Sequence, residues 1–192
     1  EKLKNNNNHQ FLNNFLKGIT GIKVGRDNSP DYIEFVKNNL LIILQNNKKE
    51  LLSIDVNLKD IFSGFPENIL KHILQCTNLE KLGLYNIKAK RNIPLEFSGL
   101  VNLRALNLFN NEFTGNIPAE IWSLKNLKYL NLSSNNLTGE IPKESHAFLH
   151  LDLSYNQLKG KIPFQLEKFQ INPQIDTEKK EYNLLIENEL NE

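Results

Sequence analysis

The residue types of a hydrolytic site occur together in one short segment of the chain. Between positions 145 and 152 lie a hydroxyl, two imidazoles and a carboxylate, from Ser145, His146, His150 and Asp152. A catalytic triad requires its nucleophile, base and orienting acid to converge within hydrogen-bond reach. His150 and Asp152 alternate along one predicted strand, so their side chains run parallel instead of converging. We therefore expect no catalytic residues and interpret the histidines as surface side chains.

Metal and phosphate sites are not predicted either. His146 and His150 have a metal-like interval, but the single cysteine, Cys76, is distant and only Asp152 could add a nearby ligand. Residues 18–25, GITGIKVG, contain glycines without the lysine and spacing of a phosphate-binding loop, and are interpreted as a flexible turn between two helices. Cys76 lies near the end of an apolar helical segment and is predicted to be a buried thiol. We expect no metal and no cofactor.

The strongest pattern in the sequence is a repeat. The template LxLxxNxLxGxIP fits residues 106–118, 130–142 and 151–163, with Phe113 in place of one leucine. Degenerate copies begin at Ile54 and Leu82, which gives about five copies at the 20 to 29 residue spacing of a solenoid. One such unit cannot bury its own apolar face, so the copies must stack on one another.

Each conserved position of the template has a physical role. The alternating leucines predict short strands that form one parallel sheet with one face on the core. The asparagines at 111, 135 and 156 are expected to be buried and to bond backbone groups of neighbouring turns. Ile87 and Lys59 take this position in the degenerate copies, so the asparagine column should stop there. Gly115, Gly139 and Gly160 suit a tight bend.

These motifs resemble the leucine-rich repeat superfamily, and the LTGxIP ending is similar to its plant-type subclass. That subclass is familiar from receptor ectodomains and from inhibitors of polysaccharide-degrading enzymes. The resemblance covers residues 51–166. It implies an α/β solenoid, a horseshoe with a short parallel sheet on its concave face and helical caps. It also implies a non-enzymatic binding role.

The segments on either side of the repeats are predicted to be caps. Residues 1–50 should form a helical N-terminal cap, with one helix ending near Gly18 and a second starting at Pro30 after Ser29 as N-cap. An insertion between Pro66 and Leu79 should add a helix on the convex side. Residues 167–192 are expected to be either a C-terminal cap, with a helix around Tyr182, Leu185, Ile186 and Leu190, or an acidic tail.

The outward-facing positions of the strands form the candidate binding surface. Aromatic anchors carry much of the free energy at protein interfaces, so exposed aromatics on one face indicate a binding centre. Asn and Asp side chains between them could recognise polar groups or sugars. Alternatively, the aromatics stack on one another across the strands without a ligand. The predicted partner-binding residues are Tyr85, Asn107, Phe109, Tyr129, Asn131, His150, Asp152 and Tyr155.

Composition constrains the class and the compartment. The 192 residues are 40% hydrophobic and carry a net charge of +1, which favours one continuous core and argues against nucleic acid as partner. No apolar run approaches a membrane span. The plant-type subclass usually has cysteine-paired caps, whereas Cys76 is alone here, so the sequence favours the cytoplasm, with the extracellular space as the alternative. Two sequons make Asn131 and Asn136 candidate glycosylation sites.

Three functions follow as hypotheses. The first is a protein-interaction module whose concave sheet binds a folded partner or a peptide, either free or within a larger receptor or scaffold. The second is an extracellular receptor or enzyme-inhibitor fragment that recognises a protein or glycan. The third is a structural role in a large assembly. The partner's identity cannot be read from these residues.

Overall fold

The alternating leucines form the strands that the repeat predicts. The computed structural model describes residues 21–24, 30–57, 67–142, 148–160, 170–176 and 181–187. Its strands are β1 (Gly21–Val24), β2 (Ser53–Asn57), β3 (Lys81–Tyr85), β4 (Ala105–Asn107), β5 (Thr114–Gly115), β6 (Tyr129–Asn131), β7 (Asn136–Leu137), β8 (His150–Leu153), β9 (Gln170–Asp176) and β10 (Glu181–Glu187). β2, β3, β4, β6 and β8 coincide with the five copies.

One sheet runs through all the copies. Its order is β1-β2-β3-β4-β6-β8-β10-β9. The first six strands are parallel to one another, and β10 pairs antiparallel with both β8 and β9. The first leucine of each copy aligns with its neighbour, as Leu82 does with Leu106 and Leu106 with Leu130. A small second sheet pairs β5 with β7. The predicted fold class, an α/β leucine-rich repeat solenoid, is confirmed.

The core is a column of apolar side chains stacked from copy to copy. Both leucines of each clear copy are at most 1% exposed, and Phe113 is fully buried where the template has leucine. In the shortened last copy, Phe148 packs edge-to-face on Trp122 with ring centroids 5.0 Å apart. The Lys128 carbonyl accepts hydrogen bonds from the backbone of Leu149 and His150, so the register of β8 is kept despite the shorter step.

The described residues contain few helices, and the two longer ones occur where the sequence predicts them. α1 (Pro30–Asn46) begins at Pro30 and buries Leu40 and Leu44, and α2 (Glu67–Ile73) fills the insertion and buries Ile69, Leu70 and Ile73. A 3₁₀ helix (Leu95–Gly99) and the short α3 (Ala119–Trp122) each follow the proline that ends a copy. The prediction that Ser29 caps α1 lies outside the described residues, as does the predicted helix ending near Gly18.

The prediction of a flexible turn at residues 18–25 is wrong for Gly21–Val24. These residues form β1, which lies parallel to β2 with Ile22 beside Ile54. Ile22 and Val24 alternate with Lys23, which is the period of a strand. The edge of β2 also offers unpaired backbone groups that a further strand satisfies. The division of the chain at residue 50 remains a prediction.

The prediction of a C-terminal helix is wrong as well, and an unstructured acidic tail does not describe this segment either. Residues 181–187 form β10, which pairs antiparallel with β8 on one side and with β9 on the other. The last repeat strand would otherwise leave a row of backbone donors and acceptors unpaired, and strand pairing satisfies them. Leu190, which was expected to belong to the same helix, lies outside the described residues.

Candidate binding surface

Buried asparagines hold the turns that follow the strands. Asn135 is 6% exposed; its Oδ1 accepts the Phe113 backbone N–H at 3.1 Å, and its Nδ2 donates to the Leu108 and Leu132 carbonyls at 3.0 and 2.9 Å. Asn111 and Asn156 are equally buried and bond in the same way. The predicted asparagine column is confirmed. It gives each strand end a fixed geometry relative to the next.

The column ends at Ile87 as predicted, yet its hydrogen bonds extend one copy further. Ile87 is buried, and its backbone N–H donates to Oδ1 of Asn111 at 2.7 Å. Each asparagine therefore satisfies the turn of the copy before its own as well as its own turn. Lys59, the other substitution in the column, lies outside the described residues.

The predicted binding residues lie in rows across neighbouring strands. Tyr129 aligns with Ala105 and His150 at the amino end of the strands, and Asn131 aligns with Asn107 and Asp152. Tyr85 ends β3, while Phe109 and Tyr155 follow β4 and β8. Phe109, Tyr129 and Tyr155 are 38%, 42% and 54% exposed. The remaining predicted residues are half-buried: Tyr85, Asn107, Asn131, His150 and Asp152.

The polar row has a structural role that the sequence does not reveal. Oδ1 of Asn107 accepts the Phe109 N–H at 3.0 Å. Oδ1 of Asn131 likewise accepts the Ser133 N–H at 3.0 Å and its hydroxyl at 2.6 Å, and Asp152 does the same for Ser154. These Asx-type bonds close the turn after each strand.

One part of the outward-facing pattern is wrong. Tyr85 and Phe109, which follow the second leucine of their copies, were predicted to face outward, and the same was expected of the equivalent serines. Ser133, however, is only 3% and Ser154 only 5% exposed. Their hydroxyls turn back to bond the side chain two residues earlier. Phe109 occupies the same template position and has no hydroxyl, so it stays exposed.

The second residue after the second leucine adopts a left-handed backbone in each described copy that begins at residue 82 or later. Asn86, Asn110, Ser134 and Tyr155 have φ of 63°, 51°, 56° and 54°. Asparagine tolerates this region, whereas a bulky residue is strained there by roughly 1 to 2 kcal/mol. Tyr155 is thus both the most exposed aromatic of the surface and a strained one. Aligning the copies would have flagged it, because Asn86 and Asn110 share its position.

Of the remaining chemical candidates, the structure describes His150, Asp152 and Cys76. His150 and Asp152 alternate along β8, and Ser145 and His146 lie outside the described residues. In the ranges that the structure describes, no three His, Cys, Asp or Glu side chains could share a metal ion. Cys76 is buried as predicted, and desolvation raises the pKa of its thiol to about 11. Among the described helices, none has the length and apolar character to cross a membrane.

The sequence matches leucine-rich repeat families over two adjoining segments. Residues 101–144 match the family described as "Leucine Rich repeats (2 copies)", and residues 148–169 match "Leucine Rich Repeat". No curated protein sequence matches the chain.

Several solved plant receptor structures are similar to this chain. A pollen receptor kinase 3 is 25% identical with a TM-score of 0.54, over 77% of this chain and 67% of that one. The plant peptide hormone receptor RGFR1, solved with RGF2, is 27% identical with a TM-score of 0.52 over 64% of this chain. The Arabidopsis receptor kinase HAESA, solved with the peptide hormone IDA and the co-receptor SERK1, is 32% identical with a TM-score of 0.50 over 58%. The chain spans 19% of the RGFR1 chain and 18% of the HAESA chain.

Proposed function

Because this chain is a leucine-rich repeat protein of the plant type, we propose that it is a non-enzymatic binding domain that captures a peptide or protein through the concave face of its sheet. Two of the similar receptors were solved with protein or peptide partners: RGFR1 with RGF2, and HAESA with the peptide hormone IDA and the co-receptor SERK1. The finer assignment, to this face and these residues, is our proposal.

The observation that carries the proposal is the grouping of exposed aromatics on one sheet. Phe109, Tyr129 and Tyr155 are each more than a third exposed. Tyr129 lies on β6, and Phe109 and Tyr155 lie just beyond the ends of its two neighbours in the sheet, β4 and β8. Water-exposed aromatic rings cost free energy that a bound partner recovers, and Tyr is enriched at binding hot spots. The asparagine column and the Asx-type bonds fix the backbone of the turns that carry Phe109 and Tyr155, which lowers the entropy cost of binding there.

The similar structures also favour a place for this binding outside the cell. The chain's single cysteine suggested the cytoplasm, but that expectation has no support among the similar structures. These are plant receptors, and two of them were solved with peptide hormones, which supports the extracellular alternative. We therefore propose that this chain belongs to an extracellular receptor, or to a related inhibitor, that recognises a protein ligand.

Alanine substitution on the concave face tests the proposal. Peptides selected from a random display library against the native chain serve as the probe. Phe109→Ala combined with Tyr129→Ala should weaken their binding more than about tenfold, because each hot-spot aromatic contributes on the order of 2 kcal/mol. Leu95→Ala combined with Val101→Ala is the matched control, since both side chains are exposed apolar residues outside the sheet. Equal binding by both double variants would contradict the proposal.

Glycosylation provides a separate test of the extracellular assignment. Asn136 is exposed on β7, away from the concave sheet, whereas Asn131 is half-buried and bonded to a buried Ser133. We propose that native material carries its glycan on Asn136 and leaves the concave face uncovered. Mass spectrometry of glycopeptides from the source tissue should find occupancy there. A bare chain from that tissue would count against the extracellular assignment and leave the concave-face binding test unaffected.

A further inference from the structure

The central row of the concave face has one position without a side chain. The residues between the two leucines of each copy align across the strands as Asp55, Gly83, Asn107, Asn131 and Asp152. Gly83 lies on β3, between Asp55 on β2 and Asn107 on β4. Its φ is not in the left-handed region, so the backbone does not require glycine there. Space above the strand is the remaining reason for glycine.

Two neighbouring side chains use that space. A Cβ added to Gly83 would lie 2.8 Å from Oδ1 of Asp55 and 3.5 Å from Cε1 of Tyr85. The carboxylate and the phenol ring therefore both lie close above the backbone of Gly83, which is buried. Both side chains remain half-buried, so one side of the pair faces solvent.

Asp55 differs from the other acid of its row. Asp152 directs Oδ1 along its own strand to the N–H and hydroxyl of Ser154. Asp55 directs Oδ1 sideways, across to β3. The ion pairs seen in the described residues join Lys90 to Glu112, Arg91 to Glu67 and Arg104 to Glu80, and within those ranges no lysine or arginine pairs with Asp55.

We propose that Asp55 and Tyr85, brought together over Gly83, bind an arginine side chain of the protein partner. A guanidinium group can donate two hydrogen bonds to a carboxylate and stack its flat face on an aromatic ring. A carboxylate beside an aromatic ring satisfies both requirements. This inference rests on the proposed function for the identity of the macromolecule, but the recognition chemistry can be tested without that macromolecule.

Two small probes distinguish recognition of the positive charge from non-specific binding. N-acetyl-arginine amide and its neutral isostere N-acetyl-citrulline amide are titrated separately into isotope-labelled native chain, and the Gly83 amide signal is followed by NMR. The arginine probe should shift this signal in a saturable way, and the citrulline probe should bind at least about threefold more weakly, as expected for loss of a half-exposed charge pair. Equal shifts from both probes would overturn the inference.

Three variants locate the site. Asp55→Asn should lower the affinity for the arginine probe about threefold to fivefold. Glu96→Gln removes an exposed carboxylate on the 3₁₀ helix, outside the sheet, and should leave the affinity unchanged. Gly83→Ala should fold, because the atom that its Cβ would meet at 2.8 Å is the flexible end of the Asp55 side chain. The new methyl group should displace that carboxylate and lower the affinity for the arginine probe to the same extent as Asp55→Asn. Equal weakening by Asp55→Asn and Glu96→Gln would contradict the assignment.

The small-molecule titration and the peptide-capture test have independent outcomes. Loss of arginine recognition with retained peptide capture would reject this site and leave the proposed function standing. Arginine recognition in a chain that captures no peptide through Phe109 and Tyr129 would reject the proposed function and retain the site.

Discussion

At the scale of single residues, the buried asparagines determine the shape of the strand ends. Each one forms hydrogen bonds with backbone groups of two successive copies. These groups are buried, so water cannot satisfy them instead. The sequence predicts these residues because asparagine recurs at a fixed place after the leucines. It does not predict the Asx-type bonds of Asn107, Asn131 and Asp152. The sequence pattern of an outward-facing strand position is the same whether its side chain is free or hydrogen-bonded.

Asn135→Ala should lower the free energy of unfolding by about 1 to 3 kcal/mol, because it removes the acceptor of the buried Phe113 N–H and one of the two asparagine donors to each of the Leu108 and Leu132 carbonyls. Urea denaturation followed by circular dichroism measures this loss. Asn136→Ala is the matched control, because its side chain is exposed, and it should stay within about 0.5 kcal/mol of the native chain. Similar losses in both variants would show that the buried amide has no special role.

The strain at Tyr155 leads to a second prediction at this scale. Tyr155→Asn should raise the free energy of unfolding by about 0.5 to 1 kcal/mol, because asparagine tolerates a φ of 54°. The same variant should bind the selected peptides more weakly, because it removes an exposed ring. Tyr155→Phe keeps both the strain and the ring, so it should change neither quantity much. A drop in stability for Tyr155→Asn would contradict the strain argument.

At the scale of elements, three glycines allow neighbouring copies to approach closely beyond the main sheet. Gly115, Gly139 and Gly160 have φ of 74°, 78° and 85°, and each packs against a side chain of the copy before it. The template predicts these bends from glycine alone. It misses the partner side chains, Asn92, Asn116 and Glu140, because nothing in their sequence position indicates a close approach.

Gly139→Ala should destabilise the fold by roughly 1 to 3 kcal/mol. Its Cβ would lie 2.7 Å from Cγ of Asn116, in a backbone conformation that alanine disfavours. Thermal unfolding should show a lower midpoint than that of the native chain. Gly99→Ala is the control, since its Cβ would meet no atom within 4 Å, and its midpoint should be unchanged or raised. If Gly99→Ala lost as much stability, close packing at Gly139 would not be the cause.

Elements that repeat are predictable, and elements that end the repeat are not. The strands β2 to β4, β6 and β8 follow from leucines with period two, and α1 and α2 follow from apolar residues at helical spacing. β1 and β10 were missed because their local patterns are weak. The open edges of β2 and β8 favour strands at these places. A single sequence does not show which segment pairs with each edge.

At the scale of the whole molecule, the chain itself extends the parallel sheet at both ends. β1 pairs with β2 at one end, and β10 pairs with β8 at the other in the antiparallel direction. Cysteine-paired caps, which the plant-type resemblance implied, cannot form within a chain with one cysteine. Added strands satisfy the terminal backbone groups in this protein.

Removing the C-terminal strands should therefore expose the edge of β8. A chain that ends at residue 169 lacks β9 and β10, and it should unfold at a lower temperature and associate with itself as concentration rises. Light scattering at several concentrations measures the association. A truncated chain that stays monomeric and keeps the native unfolding midpoint would show that β10 does not protect this edge.

The central claim is that the concave aromatic face binds a protein or peptide partner, and site-specific photo-crosslinking tests it most directly. The photoreactive amino acid p-benzoylphenylalanine is placed at position 129 on the concave face, or at the exposed position 101 outside the sheet, and each chain is irradiated with the selected peptide bound. We predict strong crosslinking from position 129 and little from position 101. Strong crosslinking from position 101 with none from position 129 would contradict the account.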